Sequence, residues 1–336
     1  MNAPYESRHS RECGNPETDM VDELDSRLRG NDVKHYRPRR SMLYIPACVP
    51  RFLAKGRELR VDTLIFDLEE SVLVARKTEA RRNAVEALQE GGYGQREVVV
   101  RVNRHDSAWG LDDLTAIAPL KPDAILFPRI ESRADVLAAL AALDAAGGEH
   151  LPIMVMLETP LAVLRAEEIA GASERIRCLV MGTSDLTNEL HARITPDRLP
   201  ILYSLSHCLL AARAHGLPIV DGVYLDMKDM TTFEYACRMA RDLGFDGKTV
   251  IHPLQIQYAN DAFTPHAPSV ERARKIIDAF AEANAEGRGV TVVDGRLVEN
   301  LHVEAARRTL MIHAMIEKMA MDDITNMVDS VQVGVQ

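Results

Sequence analysis

Two acidic residues in this chain each follow a short apolar run that ends in turn residues. Glu158 closes the run at 151–158, Asp185 follows the run at 178–181, and the two carboxylates are 27 positions apart. That spacing fits one strand, one helix and the next strand. If the runs are neighbouring parallel strands, both carboxylates emerge at the same edge of the sheet. Mg²⁺ takes oxygen ligands and commonly uses only one or two carboxylates, so the pair predicts a site for Mg²⁺, with Mn²⁺ as the alternative.

Arg101 lies inside another apolar run, at 98–102, which is otherwise typical of a buried strand. An unpaired buried charge is costly, so a guanidinium in this position indicates more than a solvated surface. A 2-keto or 2-hydroxy acid could chelate the cation, and Arg101 could stabilise the oxygen that becomes negative as an enolate forms or collapses. Arg101, Glu158 and Asp185 therefore fit an aldol or Claisen cleavage, or its reverse. The sequence contains no C-x-x-C pair, G-x-S-x-G elbow or Walker-type loop.

The elements that would position these residues alternate regularly along the chain. Eight short apolar runs alternate with amphipathic stretches, which predicts an α/β protein with a (β/α)8 TIM barrel. The strand runs are 41–45, 63–66, 98–102, 124–127, 153–157, 178–181, 218–220 and 248–251, and the helical stretches include 77–88, 133–143, 162–169, 201–215 and 232–243. A doubly wound open sheet is the alternative, but it more often carries a Gly-rich nucleotide turn, which is absent here.

The barrel interpretation predicts that chemistry lies at the C-terminal ends of the strands. Charged and polar residues do follow the second to eighth runs: Asp67, Glu69, Glu70, Arg101, Asn103, Arg129, Glu131, Glu158, Asp185, Asp221 and His252. Helix capping and ordinary loop polarity explain any one of them. They explain the whole set less well, because Arg101 and Glu158 interrupt runs that look buried.

Composition restricts the class of protein. The 336 residues are 46% hydrophobic and 27% charged, with a net charge of -10 and a pI near 5.6. These values indicate a globular enzyme and argue against a nucleic acid or an anionic membrane as the main partner. No apolar run approaches the roughly 18 residues of a membrane-spanning helix, and no hydrophobic signal core is evident. The five scattered cysteines predict reduced thiols and a cytoplasmic location.

The chain is expected to divide into three segments. Residues 1–36 mix acids and arginines with few large apolar residues, so they bury too little to offset their ordering entropy and predict a disordered or loosely attached arm. Residues 37–262 would form the barrel. Residues 263–336 would form a C-terminal helical and hairpin appendage, because Asp294-Gly295 between two apolar runs is a strong hairpin signal.

Seven sequence motifs occur in order: RRSMLYIP (39–46), DTLIFDLEE (62–70), VRVN (100–103), FPRIES (127–132), LETP (157–160), GTSD (182–185) and GFDGKTVIHP (244–253). Together they resemble the citrate lyase β-subunit-like CoA-ester lyases, which include malyl-CoA, methylmalyl-CoA and citramalyl-CoA lyases. The resemblance covers about residues 37–315. It implies a Mg²⁺-dependent carbon-carbon lyase that cleaves or forms a malyl-CoA-like 3-hydroxyacyl-CoA, with a CoA thioester and a 2-keto acid as its ligands.

The resemblance also implies roles for individual residues. Glu158 and Asp185 match the two metal ligands, and Arg101 matches the arginine at the reacting carbonyl. The substrate-binding positions would be Tyr44, Arg51, Lys55, Arg101, Glu158, Ile251 and His252. Arg51 and Lys55 also suit the phosphates of CoA by their charge, although an ordinary solvated helix face explains them equally well.

Glu299 matches an aspartate that, in malyl-CoA lyase-like proteins, a neighbouring subunit delivers to handle the proton on the acyl carbon. The resemblance therefore implies a second catalytic residue, a lid and oligomerisation role for the C-terminal segment, and a homotrimer or homohexamer. Glutamate is one methylene longer, which matters when proton transfer needs contacts of roughly 3 Å. Ala47, Glu70 and Arg129 also depart from the usual motifs. We expect a retained metal site with a shifted substrate preference.

Two alternatives stay open at this point. One is a malyl-CoA-type thioesterase, or a malate or citramalate synthase, on the same site. The other is a catalytically impaired metabolite-binding paralogue, motivated by Glu299 and Ala47. Following free CoA thiol as well as keto acid separates the reactions, and restored activity in a Glu299→Asp variant of an inactive wild type would favour the paralogue.

Overall fold

The computed structural model describes residues 37–333, with side chains described for residues 37–321. The predicted N-terminal arm, residues 1–36, lies outside the described residues. Within the described part of the chain, no helix is long and apolar enough to cross a membrane. Two compact units are present: one comprises residues 37–264 and the residues from Ile316, and the other comprises Pro265–Met315.

The first unit is built on a closed barrel of eight parallel strands that pair in chain order, with the last strand back on the first. This confirms the predicted (β/α)8 barrel and excludes the open doubly wound sheet. The strands are β1 (Ser41–Pro46), β2 (Thr63–Asp67), β3 (Glu97–Arg101), β4 (Ala124–Phe127), β5 (Ile153–Leu157), β6 (Ile176–Met181), β7 (Ile219–Asp221) and β8 (Gly247–Val250).

Helices cover the outside of this barrel. They are α1 (Pro50–Gly56), α2 (Lys77–Glu90), α3 (Gly110–Ile117), α4 (Arg133–Ala145), α5 (Pro160–Leu164), α6 (Ala166–Ala170), α7 (Thr183–Glu189), α8 (Leu202–Ala214), α9 (Met230–Leu243) and α10 (Pro253–Phe263). The single helix expected at 162–169 is two short helices, because Arg165 between them has a non-helical backbone, with φ -110° and ψ 18°. The first of them begins early: Thr159 caps it by accepting from Ala162 N, and Pro160 supplies a helical φ.

Alternate strand residues fill the barrel interior, as the pleat requires. The interior cluster comprises Met42, Ile65, Val99, Ala124, Leu126, Met154, Met156, Cys178, Val180 and Val220. The intervening apolar residues pack against the helices. The same alternation continues towards the C-terminal ends of the strands. There the next inward-facing positions include Tyr44, Asp67, Arg101 and Glu158. The barrel interior is therefore apolar over most of its length and charged at the C-terminal ends of the strands.

The second unit contains α11 (Ala267–Ala285), the antiparallel strands β9 (Thr291–Val293) and β10 (Arg296–Val298), and the beginning of α12 (Asn300–Val333). The hairpin turn is the predicted Asp294-Gly295, with φ 49° and 73°, as a type I′ turn needs. The role of the C-terminal segment as a lid and in oligomerisation stays a prediction.

Candidate active site

Arg101, the last residue of β3, is buried and makes a bidentate ion pair with Asp67, the last residue of β2. Nε donates to Asp67 Oδ1 and Nη2 donates to Oδ2, each at 2.7 Å. The barrel register places the two residues opposite each other. Burial opposes both charges, but the pKa of Asp67 is lowered by Arg101, and that of Arg101 is held well above its ordinary value by Asp67. The guanidinium is therefore a fixed cation with two of its nitrogens already committed.

Tyr44 and Met156 enclose the remaining part of the guanidinium. Arg101 lies over the Tyr44 ring at 4.6 Å, and its Nη1 lies 3.7 Å from Met156 Sδ. The Tyr44 hydroxyl lies 3.8 Å from the same sulfur. Nη1 is also 3.3 Å from Glu69 Oε2. Burial raises the pKa of the Tyr44 phenol, so Tyr44 stays a neutral wall of the site at physiological pH.

Glu158 follows β5 and is 3% exposed, with an ion pair to none of the described residues. Its Oε1 accepts from the main-chain N–H of Arg129 at 2.6 Å. Burial raises the pKa of Glu158 to about 7; Arg101 opposes this shift, and the charge of Asp185 adds to it. This is a buried carboxylate with too little positive charge around it, which is the situation that a bound cation relieves.

Asp185 lies in the first turn of α7 and is half-buried. Among the described residues its carboxylate has no hydrogen bond or ion pair, whereas its charge acts on Glu158, Glu70 and Arg129. Gly182 lies directly against the Glu158 side chain. A Cβ there would be 2.2 Å from Glu158 Cβ and 2.6 Å from Oε2, so only glycine leaves room for the Glu158 side chain.

These two carboxylates fit a hard divalent cation. Both offer oxygens without a cationic partner, and Mg²⁺ commonly binds through one or two carboxylates while water and substrate complete its octahedron. The described residues contain no group of three or more His, Cys, Asp or Glu side chains arranged to hold a metal ion. Because Mg²⁺ needs only one or two carboxylates, Glu158 and Asp185 would hold it while leaving coordination positions open.

The loop after β2 adds further carboxylates to this rim. Burial raises the pKa values of Glu69 and Glu70. Lys77 holds this loop in place. Its ammonium donates to the main-chain oxygens of Leu68 and Glu69, and it donates to Asn103 Oδ1 at 2.7 Å. The role of Lys77 could not be predicted from the sequence, because nothing in the pattern of α2 distinguishes it from an exposed helix lysine.

Ile251 and His252 follow β8 and are exposed. The Ile251 N–H donates to Gln255 Oε1 at 2.9 Å, and Gln255 Nε2 donates to Tyr224 O at 2.9 Å, so the buried Gln255 joins the loops after β7 and β8. His252 Nδ1 accepts from Leu254 N at 3.1 Å and thereby caps α10. The structure thus gives His252 a capping contact, and its predicted substrate contact stays a prediction.

Arg51 and Lys55 lie on α1, directly after β1, and both are exposed. Lys55 pairs with Glu58, and Arg51 lies over the Phe52 ring at 5.0 Å. Glu299 belongs to the second unit, where it precedes α12 and its main-chain N–H donates to His302 Nδ1 at 3.0 Å. The structure therefore brings together Tyr44, Arg101, Glu158 and Asp185; for Arg51, Lys55 and Glu299 it gives only their local setting.

Asp221 ends β7 but faces away from the barrel interior. It is fully buried and accepts from Arg198 and Lys248 at 2.5–2.7 Å. Beside this network lies a cavity of about 380 Å³ whose lining includes Thr183, Arg198, Leu225 and Lys248 but not Arg101, Glu158 or Asp185. Asp221 was grouped with the candidate site residues because it follows a strand, but its contacts are those of a structural residue.

The chain matches the family HpcH/HpaI aldolase/citrate lyase over residues 40–253. It is 47% identical over 273 residues to the (3S)-malyl-CoA thioesterase of Cereibacter sphaeroides, covering 81% of this chain and 94% of that protein. It is 34% identical over 280 residues to citrate lyase subunit beta of Escherichia coli, covering 82% and 93%. The crystal structure of protein CitE from Mycobacterium tuberculosis, in complex with magnesium, acetoacetate and coenzyme A, aligns with a TM-score of 0.67 and 27% identity, covering 82% and 98%. The chain therefore belongs to the HpcH/HpaI aldolase/citrate lyase family and is citrate lyase subunit beta-like, as its seven motifs predicted.

Proposed function

We propose that this protein is a Mg²⁺-dependent enzyme that cleaves a malyl-CoA-like 3-hydroxyacyl-CoA into a short acyl-CoA and a 2-keto acid, or condenses them. The observation that carries the proposal is the juxtaposition of a fixed buried cation, Arg101, with the open carboxylates Glu158 and Asp185 at one rim of the barrel. The magnesium, acetoacetate and coenzyme A held by the Mycobacterium tuberculosis relative support it.

In the cleavage, the hydroxyl proton of the substrate passes to water and its oxygen becomes the keto oxygen of the 2-keto acid. The carbon-carbon bond breaks, and its electron pair passes into the enolate of the acyl-CoA, which is then protonated at carbon. Mg²⁺, when bound, supplies Lewis-acid polarisation of the keto-acid oxygens. Arg101 would stabilise the enolate oxygen, because Asp67 fixes its orientation before substrate arrives. Tyr44 and Met156 limit water around that cation. Glu299 would deliver the proton.

The remaining ligand assignments belong to the same proposal. Arg51 and Lys55 would bind the phosphates of CoA, since they are cations exposed directly after β1. Ile251 and His252 would contact the acyl portion. A homotrimer or homohexamer and a cytoplasmic location are also proposed. The described cysteines form no disulfide, which is usual for a cytoplasmic protein.

The test is turnover of malyl-CoA and citramalyl-CoA, with glyoxylate and pyruvate as the measured products, before and after EDTA and after Mg²⁺ is restored. We expect turnover that EDTA abolishes and Mg²⁺ restores. Glu158→Gln and Asp185→Asn should each lose it, whereas Glu90→Gln, at an exposed surface ion pair, should retain it. Turnover that survives EDTA would contradict the proposal.

Thioester hydrolysis is a second candidate, favoured by the 47% identity to a (3S)-malyl-CoA thioesterase over 94% of that protein. In hydrolysis, water oxygen bonds to the thioester carbon, the carbon-sulfur bond breaks, and CoA leaves as its thiol. Arg101 would then stabilise the thioester oxyanion instead of an enolate. Free thiol without keto acid identifies hydrolysis, and keto acid without free thiol identifies cleavage. The absence of both products contradicts both candidates.

A further inference from the structure

Arg129 contacts both elements that carry the candidate metal ligands. Its main-chain N–H donates to Glu158 Oε1 at 2.6 Å, and its guanidinium Nη2 donates to Glu189 Oε1, also at 2.6 Å. Glu189 is the last residue of α7 and lies four positions after Asp185. Residues four apart share a face of a helix, so the guanidinium is held on the side of α7 from which Asp185 projects.

The backbone of Arg129 is unusual. Its φ is 50°, in the left-handed region, which costs a non-glycine residue on the order of 1 kcal/mol or more. This conformation directs the N–H towards Glu158 while the side chain reaches α7. The loop geometry is thus held in place by both contacts together.

The guanidinium of Arg129 lies in the electric field of four carboxylates, those of Glu189, Glu158, Asp185 and Glu70, but pairs with Glu189. Its pKa is raised first by the hydrogen bond to Glu189 and further by the charges of Glu158 and Asp185. Among the described residues, Glu189 is its ion-pair partner. A guanidinium this close to the Glu158 and Asp185 carboxylates would compete with a metal ion for them. Its ion pair with Glu189 prevents that competition.

We propose that Glu189 is a positioning residue of the metal site, which holds the Arg129 guanidinium away from Asp185 and Glu158 so that both carboxylates stay open for a divalent cation. The inference rests on the proposed function, because it presumes that a cation binds there. Without Glu189, the guanidinium pairs with Asp185, one turn away on the same helix face, and the metal ion must displace it.

The experiment is a Mn²⁺ titration of the full chain without substrate, in which the electron paramagnetic resonance signal reports free Mn²⁺. Glu189→Gln should raise the Kd for Mn²⁺ about tenfold, a typical effect of removing an outer-shell partner. The double variant Arg129→Met/Glu189→Gln removes the released cation, so its Kd should return to within about twofold of wild type. Glu234→Gln, which breaks a comparable exposed ion pair to Arg238 on α9, is the matched control and should not change it.

The outcomes distinguish a failure of this inference from a failure of the proposed function. If wild type binds Mn²⁺ and Glu189→Gln binds it equally well, the inference is overturned while the proposed function stands. If wild type binds no Mn²⁺, both are overturned. A double variant as weak as Glu189→Gln also overturns the inference, because the released cation is then not the competitor. If Glu189→Gln does not fold, as its melting curve would show, Glu189→Asp must show the weakened binding, and unchanged binding overturns the proposal.

Discussion

At the scale of single residues, the buried Arg101 and the partly buried Arg40 of this barrel are each matched by a carboxylate at short range. Arg101 meets Asp67 at the C-terminal end of β2, and Arg40 meets Asp62 just before the same strand, with Nη2 2.8 Å from Oδ1. The two pairs are chemically alike, but they lie at opposite ends of the barrel. In such barrels the C-terminal ends carry chemistry and the N-terminal ends carry stability.

These two pairs allow stability and function to be separated. Asp67→Asn and Asp62→Asn should each lower the free energy of unfolding by about 3 kcal/mol, because each removes the bidentate counter-charge of a largely buried guanidinium. Only Asp67→Asn should also lower kcat, by about 100-fold, because Arg101 loses its fixed orientation. Urea unfolding and steady-state kinetics measure the two effects. An equal loss of kcat in both variants would show that Asp67 acts through stability alone.

Gly182 provides a second prediction at this scale. An alanine Cβ would lie 2.2 Å from Glu158 Cβ, so Glu158 must move and its carboxylate must leave its present position. Gly182→Ala should therefore weaken Mn²⁺ binding at least about tenfold and lower the melting temperature through overpacking. At Gly289 an added Cβ meets nothing within 4 Å, so Gly289→Ala is the control and should match wild type. Wild-type Mn²⁺ affinity in Gly182→Ala would refute this account of the glycine.

At the scale of elements, the strands could be predicted because buried parallel strands read as continuous apolar runs bounded by polar turns. The runs at 124–127 and 153–157 match β4 and β5 to the residue. The seven-residue helix α7 was not predicted, since so short a segment shows no helical period. Its residue Glu189 was missed for the same reason.

The candidate site likewise contains features that the sequence predicts and features that it does not. The carboxylate pair Glu158 and Asp185 could be predicted from the strand spacing, because neighbouring parallel strands bring their ends to one rim. The partner of Arg101 was implied, since a buried charge needs one, but choosing Asp67 over Glu69 or Glu70 requires the strand register. The contact of the Arg129 N–H with Glu158 depends on one dihedral angle and leaves no signal in the sequence.

The network of Asp221 with Arg198 and Lys248 joins β7, β8 and the segment before α8, and it makes stability depend on pH. Burial alone would raise the pKa of Asp221, but Arg198 and Lys248 lower it to about 2. A lowered pKa contributes stability that is present above the ordinary value near 4 and is lost as the pH falls towards 2. The advantage of wild type over Asp221→Asn should therefore shrink by about 1 kcal/mol between pH 7 and pH 3. Urea unfolding at both pH values measures it, and a constant difference would rule out this linkage.

At the scale of the whole molecule, the two compact units carry different parts of the proposed chemistry. The barrel unit holds Arg101, Glu158 and Asp185, whereas Glu299 belongs to the unit at 265–315. That second unit has its own small core, formed by residues of α11, the hairpin and α12: Val270, Ala273, Ile276, Phe280, Val293, Val298, Val303, Ala306 and Leu310. A segment with its own core can present a side chain to a barrel other than the one to which it is linked.

Subunit mixing tests that arrangement directly. Arg101→Met removes the barrel cation and Glu299→Gln removes the proton donor, so each homogeneous variant should be inactive. If Glu299 serves a neighbouring barrel, co-expression in equal amounts assembles some sites from an intact barrel and an intact Glu299, and random association should restore about a quarter of wild-type activity per site. The same variants mixed without subunit exchange are the control and should stay inactive. If Glu299 serves its own barrel, no mixed site contains both intact residues, and mixed oligomers confirmed by two affinity tags would show no activity.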